Sequence, residues 1–393
     1  MRSPTLLAAV LLSVSAAAQT APAAKPSPWI LQTSNSTASL RGIHVVDDGG
    51  AGAGKIAWAS GSAGTVLKTE DGGTTWQKCP VPGSTAGPSQ RTAGPSQRPA
   101  GPSQGAEKLD FRGIWAWDAQ TAIVMSSGPG DTSRIYKTTD GCKTWKLEYT
   151  NPEPVGFWDT IVFADGEQGF VLGDPVGGSF RIFETHDQGE TWFPTKDTGL
   201  KADATTAGAF AASNSAITTR DGWSWFGSGG KGGAYVTRSY PKCAKGVSAG
   251  GMCPTAWQRV AVPMAGGTAG AGVFSVDSRP SNGGSRNVNN IVAVGGDYEK
   301  PAETYGTATY SLDSGLTWAA AAVPPHGYRS AVTWDKNTRV WITVGTNGSD
   351  FSLDDGKTWQ PLDNGDWNAL SLPFAVGPRG RIARLAPGAI PAK

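Results

Sequence analysis

One short phrase returns five times along this chain: KTEDGGTTWQK from Lys68, KTTDGCKTWKL from Lys137, ETHDQGETWFP from Glu184, YSLDSGLTWAA from Tyr310 and FSLDDGKTWQP from Phe351. The common core is Ser/Thr-x-Asp-x-Gly-x-Thr-Trp, and in one copy Cys142 stands where the others have Gly. A phrase repeated this closely constrains the fold more than any single residue does, because each copy serves one local geometry. Its Ser/Thr and Asp, two residues apart, can bond to the backbone N–H groups of a tight turn. Its Gly suits a left-handed position, and its Trp can open a strand and bury against a neighbouring unit. Asp71, Trp76, Asp140, Trp145, Asp187, Trp192, Asp313, Trp318, Asp354 and Trp359 are therefore read as structural.

Successive Asp residues of the phrase lie 69, 47, 126 and 41 positions apart. The first gap holds a heptad unit repeated three times, AGPSQRT, AGPSQRP and AGPSQGA, from Ala86. It has no large apolar residue and reads as a disordered insertion at about 83–107. Without it the gap falls to the low-to-mid forties, and 126 is three times 42, which leaves room for two units without the phrase. A period of about 40–45 residues is the size of one four-stranded propeller blade. The stretch RSAVTWD, RVWITVG, DFSLD and TWQPL, from Arg329, lays out four such strands, with the phrase on the third turn.

Laid out strand by strand, the units number six, with the fourth degenerate. A C-terminal stretch, DWNALSLPFAVGPRGRIARL, supplies three more strands. The missing strand is PWILQTS, residues 28–34, at the other end of the chain. An N-terminal strand that completes the last blade removes the open edge. The expected fold is all-β: a single seven-bladed β-propeller of four-stranded blades over 28–388, its ring closed by that strand.

The chain begins MRSPTLLAAVLLSVSAAAQ, an apolar run after one Arg and before small residues, which reads as a signal peptide over 1–18 followed by a linker over 19–27. The mature chain is expected to be exported, periplasmic or extracellular, without a transmembrane segment, and monomeric. Disulfides are then permitted. Cys243 and Cys253 flank a small-residue loop and would close an insertion at about 240–254, leaving Cys79 with Cys142; four cysteines allow three connectivities, and spacing does not choose among them. The net charge of +2 makes no case for nucleic acid. Scattered His44, His186 and His326 and the cysteine spacing make none for a metal, and no cofactor is expected.

The five phrases match the Asp-box, or bacterial neuraminidase repeat. The wider unit, as in FWDTIVFADGEQGFVLGDPVGGSFRIFETHDQGETW, resembles the photosystem II stability/assembly factor-like family of β-propellers, within the sialidase-like superfamily. That resemblance implies a non-catalytic role in assembling a partner protein, with the phrases on the face away from the ligand.

A ligand face would then carry the starts of the first strands and the loops between second and third strands. Aligning SLRGIHV, DFRGIWA, FWDTIVF, YRSAVTW and DWNALSL puts Arg41, Arg112, Asp159, Arg329 and Asn368 in one slot. The loops add Asp174, and Asp297 and Tyr298 with Glu303 and Tyr305. Three Arg around one axis could receive an anionic ligand or form bridges between blades. The leading expectation is binding of a protein partner. The alternative is a glycan, bound or cleaved, with Tyr298 or Tyr305 as nucleophile and Asp159 as acid. The Arg-Ile-Pro signature of sialidases is absent from the first unit, and the nearest string, FRIF from Phe180, lies on a third strand. No catalytic set is assigned.

Overall fold

The computed structural model describes residues 27–47, 54–81, 108–195, 199–241, 255–281 and 288–391. The expected signal peptide, most of the linker, the insertion at about 83–107 and the Cys243–Cys253 loop lie outside the described residues. Seven four-stranded antiparallel sheets make up the fold, each an up-and-down meander. Blade one runs Leu40–Val45, Ala57–Gly61, Thr65–Thr69 and Gln77–Lys78. Most second strands are buried throughout or nearly so, because both of their faces meet neighbouring blades. Ala57–Gly61, Ala122–Ser126 and Asn289–Asp297 are buried at every position.

Blade seven settles how the ring closes. Its strands are ordered Trp29–Gln32, Ile382–Leu385, Phe374–Val376 and Ala369–Ser371, so the N-terminal strand pairs antiparallel with the last strand of the chain. Trp29 is 2% exposed, packs on Trp367 at 5.6 Å and donates from Nε1 to Ser349 Oγ of blade six at 3.0 Å. Seven apolar clusters fill the interfaces between adjacent blades, one for each, including the interface between blades seven and one. The core is therefore a ring of separate seams, and opening any one exposes a whole blade face.

The 126-residue gap is not three periods. It spans two blades, only one of which lacks the phrase. The excess is taken up by a segment over 207–215 that belongs to no strand, by residues 242–254, which lie outside the described residues, and by long strands in blade five, Ala271–Pro280 and Asn289–Asp297.

The phrases form five near-identical turns between third and fourth strands. In blade one, Thr69 Oγ1 accepts from Gly73 N at 2.9 Å and donates to Asp71 Oδ1 at 2.8 Å; Asp71 then accepts from Thr75 N at 2.9 Å and Thr75 Oγ1 at 2.7 Å. The N–H and hydroxyl of Thr75 hold the exposed Asp71 carboxyl down to about 2. The same bonds recur around Asp140, Asp187, Asp313 and Asp354. The Gly of each turn is left-handed, φ 79–86°, and Cys142 adopts φ 69° in its place. Cys142 is disulfide-bonded to Cys79, which joins the turn of blade two to the end of blade one. No helix among the described residues is long and apolar enough to cross a membrane.

Candidate functional site

A meander of four strands puts the first and third turns at one end of each blade, and the second turn with the start of the first strand at the other. The recurring phrases therefore lie on one face of the propeller, and the starts of the first strands ring the central channel on the opposite face. A β-bulge interrupts the ladder there in blade one between Leu40 and Gly42, in blade two between Phe111 and Gly113, in blade three between Trp158 and Thr160, and in blade five between Val273 and Ser275. The extra residue of a bulge is re-aimed, here toward the channel end of the strand. Those residues are Arg41, Arg112, Asp159 and Phe274.

A cavity of about 360 Å³ opens at this end of the channel. Arg41, Arg112 and Asn368 line it from the slot read in the sequence, and the exposed Tyr298 lines it from the loop of blade five. Phe210, Ala211, Ala212, Phe274, Tyr328, Ser330 and Thr346 complete it. Phe210 stacks on Phe274 with centroids 3.7 Å apart, and Tyr328 meets Phe274 edge-on at 4.8 Å. The result is an aromatic floor beneath two guanidinium groups.

The expectation for Arg329 requires correction. The first-strand alignment sets it beside Arg112, but the residue in that slot is Ser330. The neighbours show the offset: a Cβ at Gly61 would meet the carbonyl of Ser39 and Cα of Leu40, while one at Gly345 would meet the carbonyl of Tyr328 and Cα of Arg329. Arg329 therefore corresponds to Leu40 and points into the blade. It is fully buried, with Nε 2.6 Å from Asp350 Oδ2 and Nη1 2.7 Å from Asn347 Oδ1. It pairs with a carboxylate within its own blade and does not reach the cavity.

Asp297 also stays out of the cavity. It accepts from Glu299 N and Thr268 Oγ1, a turn-capping role. Glu303 pairs with Lys300 at 3.6 Å, and Tyr305 is 86% exposed outside the lining. His44 stacks on Trp115 at 4.0 Å, His326 sits 2.7 Å from Asp350, and His186 is 3.8 Å from Glu184. Among the described residues no group of three or more His, Cys, Asp or Glu could hold a metal ion.

The segment over 207–215, AGAFAASNS, was not singled out in the sequence, yet it forms the floor. It bonds to first strands on several sides of the ring. Asn214 Oδ1 accepts from Ile161 N at 2.9 Å and its Nδ2 donates to Ile114 O at 3.0 Å. Ser213 donates to Ser330 O at 2.6 Å, and Ser215 Oγ lies 2.7 Å from Ser275 Oγ. Blades two, three, five and six are all reached, so the segment crosses the channel. Small uncharged side chains suit that narrow passage, and Asn214 tolerates the left-handed φ of 60° that turns the chain there. Only the unusual spacing between blades three and five could have signalled it.

Arg112 ties this floor to the rim. It donates from Nε to Asp110 at 2.8 Å and from Nη1 to Ala211 O at 3.0 Å. Arg41 forms no ion pair among the described residues, and burial, then the like charge of Arg112, push its guanidinium below its usual range. Arg41 remains a cation at neutral pH. Asp159 and Asp174 do not line the cavity. Asp174 instead accepts from Ala209 N of the crossing segment at 2.9 Å.

No protein-family model and no curated protein matches the chain. Among the solved structures that match, two align over nearly its whole length. A structure described as YCF48 bound to D1 peptide is 14% identical, covers 93% of this chain and 99% of that one, and gives a TM-score of 0.56. YCF48 from Cyanidioschyzon merolae is 14% identical over 91% and 99% of the two chains, with a TM-score of 0.55. The chain shares the propeller fold of these structures. A GH74 xyloglucanase from Xanthomonas campestris aligns over 83% of this chain and 50% of its own, at 13% identity and a TM-score of 0.35.

Proposed function

We propose that this chain is an exported, non-catalytic propeller that binds a protein partner at the mouth of its central channel. The observation that carries the reading is the cavity beneath Arg41 and Arg112. Two cations, one of them without an ion pair among the described residues, stand over an aromatic floor of Phe210, Phe274 and Tyr328. Such a site favours a peptide that presents a carboxylate beside an apolar side chain. The YCF48 structure described with a D1 peptide supports a peptide partner on this fold. Export rests on the sequence of residues 1–19.

Affinity capture from native envelope extract, with light crosslinking and mass spectrometry, tests the reading. The bait is the mature chain beside an Arg41→Ala/Arg112→Ala double variant that still folds. A protein enriched by the parent and lost with the double variant is the expected result. Equal capture by both baits would remove the cavity from the account. No capture by either would turn the question to a glycan panel, for which the exposed Tyr298 and the stacked floor offer ring faces.

A further inference from the structure

Arg41 and Arg112 stand at equivalent bulges of adjacent blades, yet they are held in opposite ways. Blade two reads DFRG from Asp110, and blade one reads SLRG from Ser39. Two residues before its arginine, blade two therefore carries an acid where blade one carries a hydroxyl. Asp110 Oδ2 accepts from Arg112 Nε at 2.8 Å. Ser39 offers no charge: its backbone bonds to Ser62, and its Oγ accepts from Asn368 Nδ2 of blade seven at 3.3 Å.

The crossing segment widens the difference. It bonds to blades two, three, five and six, and to Gly229 of blade four, but among the described residues it makes no hydrogen bond to blade one or blade seven. Arg112 is within its reach and donates from Nη1 to Ala211 O at 3.0 Å, next to Phe210. Phe210 in turn stacks on Phe274. Arg112 is thus tied on one side to an acid and on the other to the backbone of the floor. Arg41 is half-buried and lines the same cavity, and its guanidinium has neither an ion pair nor a hydrogen bond among the described residues.

Three carboxyl groups belong to this end of the channel, and none is bonded to Arg41. Asp110 takes Arg112. Asp174, which burial raises to about 6, accepts from Ala209 N. Asp159 is 1% exposed and does not line the cavity. A guanidinium held partly out of water with no partner has all its N–H donors left for a ligand, whereas one whose fork is filled must break bonds to accept an anion.

We propose that Arg41 is the residue that receives the anion in this cavity, and that Arg112 is a positioning residue that fixes the aromatic floor through Ala211. The inference rests on the proposed reading of the cavity as the site of an anionic partner group, and it divides the work within that site. Blade one supplies the charge that the ligand meets, and blade two uses its charge internally. The ligand chemistry that follows is an oxyanion borne on a flat apolar body, the oxyanion toward blade one and the body over Phe210 and Phe274. Ser39 keeps Arg41 available, so an acid at that position closes the site to anions.

The test uses two probes with one aromatic frame: 8-anilino-1-naphthalenesulfonate, and N-phenyl-1-naphthylamine, which lacks the sulfonate. Kd is measured for each by fluorescence titration at constant pH and ionic strength, with circular dichroism to confirm that every variant folds. Arg41→Ala and Ser39→Asp should each weaken the sulfonate by about tenfold or more, the loss of one charge-assisted pair, and leave the uncharged probe unchanged. Ser39→Asp is the sharper of the two, because it keeps both arginines. Arg112→Ala should weaken both probes by a common factor. Arg112→Lys, which keeps a charge but not the fork that reaches Asp110 and Ala211 together, should do the same. An arginine that only stabilised the fold would leave both affinities of the folded variant as they are, and that result overturns the positioning role. Loss of the sulfonate alone in Arg112→Ala would give the anion to Arg112 and overturn the division, with the cavity still the site. Undiminished sulfonate binding in both Arg41→Ala and Ser39→Asp overturns it as well. Sulfonate binding indifferent to every one of these changes overturns the cavity reading and the division with it.

Discussion

The two faces of this propeller obey opposite rules. On one, five blades repeat a single turn, each closed by its own Thr or Ser and Asp and each met by a side chain of the preceding blade, as by Arg384 on Gly72 O, Lys68 on Gly141 O and Arg279 on Asp355. On the other, six blades place five different residue types at one slot: Arg41 and Arg112, Asp159, Phe274, Ser330 and Asn368. Repetition marks what every blade needs in order to be a blade. Divergence at equivalent positions marks where the ring stops being symmetric and can recognise something.

That contrast can be broken in a definite order of size. Deleting residues 1–34 removes the strand that closes the ring and buries Trp29. It should cost at least about 5 kcal/mol and abolish a single cooperative transition, since loss of a buried Trp side chain alone costs about 3–5 kcal/mol. A truncated chain that melts like the parent in calorimetry would mean that closure is not what holds the blades together.

The two arginines once placed in the same slot should part company next. Arg329→Ala leaves Asp350 buried without its cation and should destabilise by about 3–5 kcal/mol in a denaturant titration. Arg112→Ala should cost about 1 kcal/mol or less, because its pair with Asp110 is partly exposed, while weakening partner capture. Similar losses for both would erase the distinction between slot and blade interior. Removing the Cys79–Cys142 bond by Cys→Ser changes at both positions should lower stability by about 2–5 kcal/mol, read from melting with and without reductant.

Asp174 gives the next effect, and its sign follows from the raised value. A carboxyl whose folded value lies near 6 stabilises the fold below its ordinary range, near 4, and that contribution is lost as the pH rises through about 6. The parent should therefore lose about 1–3 kcal/mol between about pH 4 and pH 7 that Asp174→Asn does not lose. Parallel stability curves for the two proteins would place the titration elsewhere. A comparably small change is expected on the repetitive face. Asp313→Ala removes bonds to Thr317 and should cost about 1 kcal/mol, without altering capture of a partner.

Seven blades, the turn at each phrase and the closing strand were legible in the sequence because they rest on local rules that recur. A Thr-x-Asp-x-Gly turn makes its bonds within five residues, and a strand missing at one end of the chain is balanced by one at the other. The Cys142 substitution was legible for the same reason, since five aligned copies expose the one that differs. The slot was only partly legible. Arg41, Arg112 and Asn368 were found by aligning first strands, but the stretch before Ala331 carries Arg and Ser side by side, and the sequence offered the more conspicuous of the two.

The sequence by itself determined the repeat, the number of blades and which residues cap their turns, because those properties are decided within one blade. Tertiary structure alone decided that Ser330 rather than Arg329 meets the channel, since a shift of one residue in a strand moves every side chain to the other face. It alone decided that residues 207–215 leave the repeat to cross the channel. Their partners lie in blades two, three, five and six, at sequence distances that no local pattern records, and they come together only once the ring has closed.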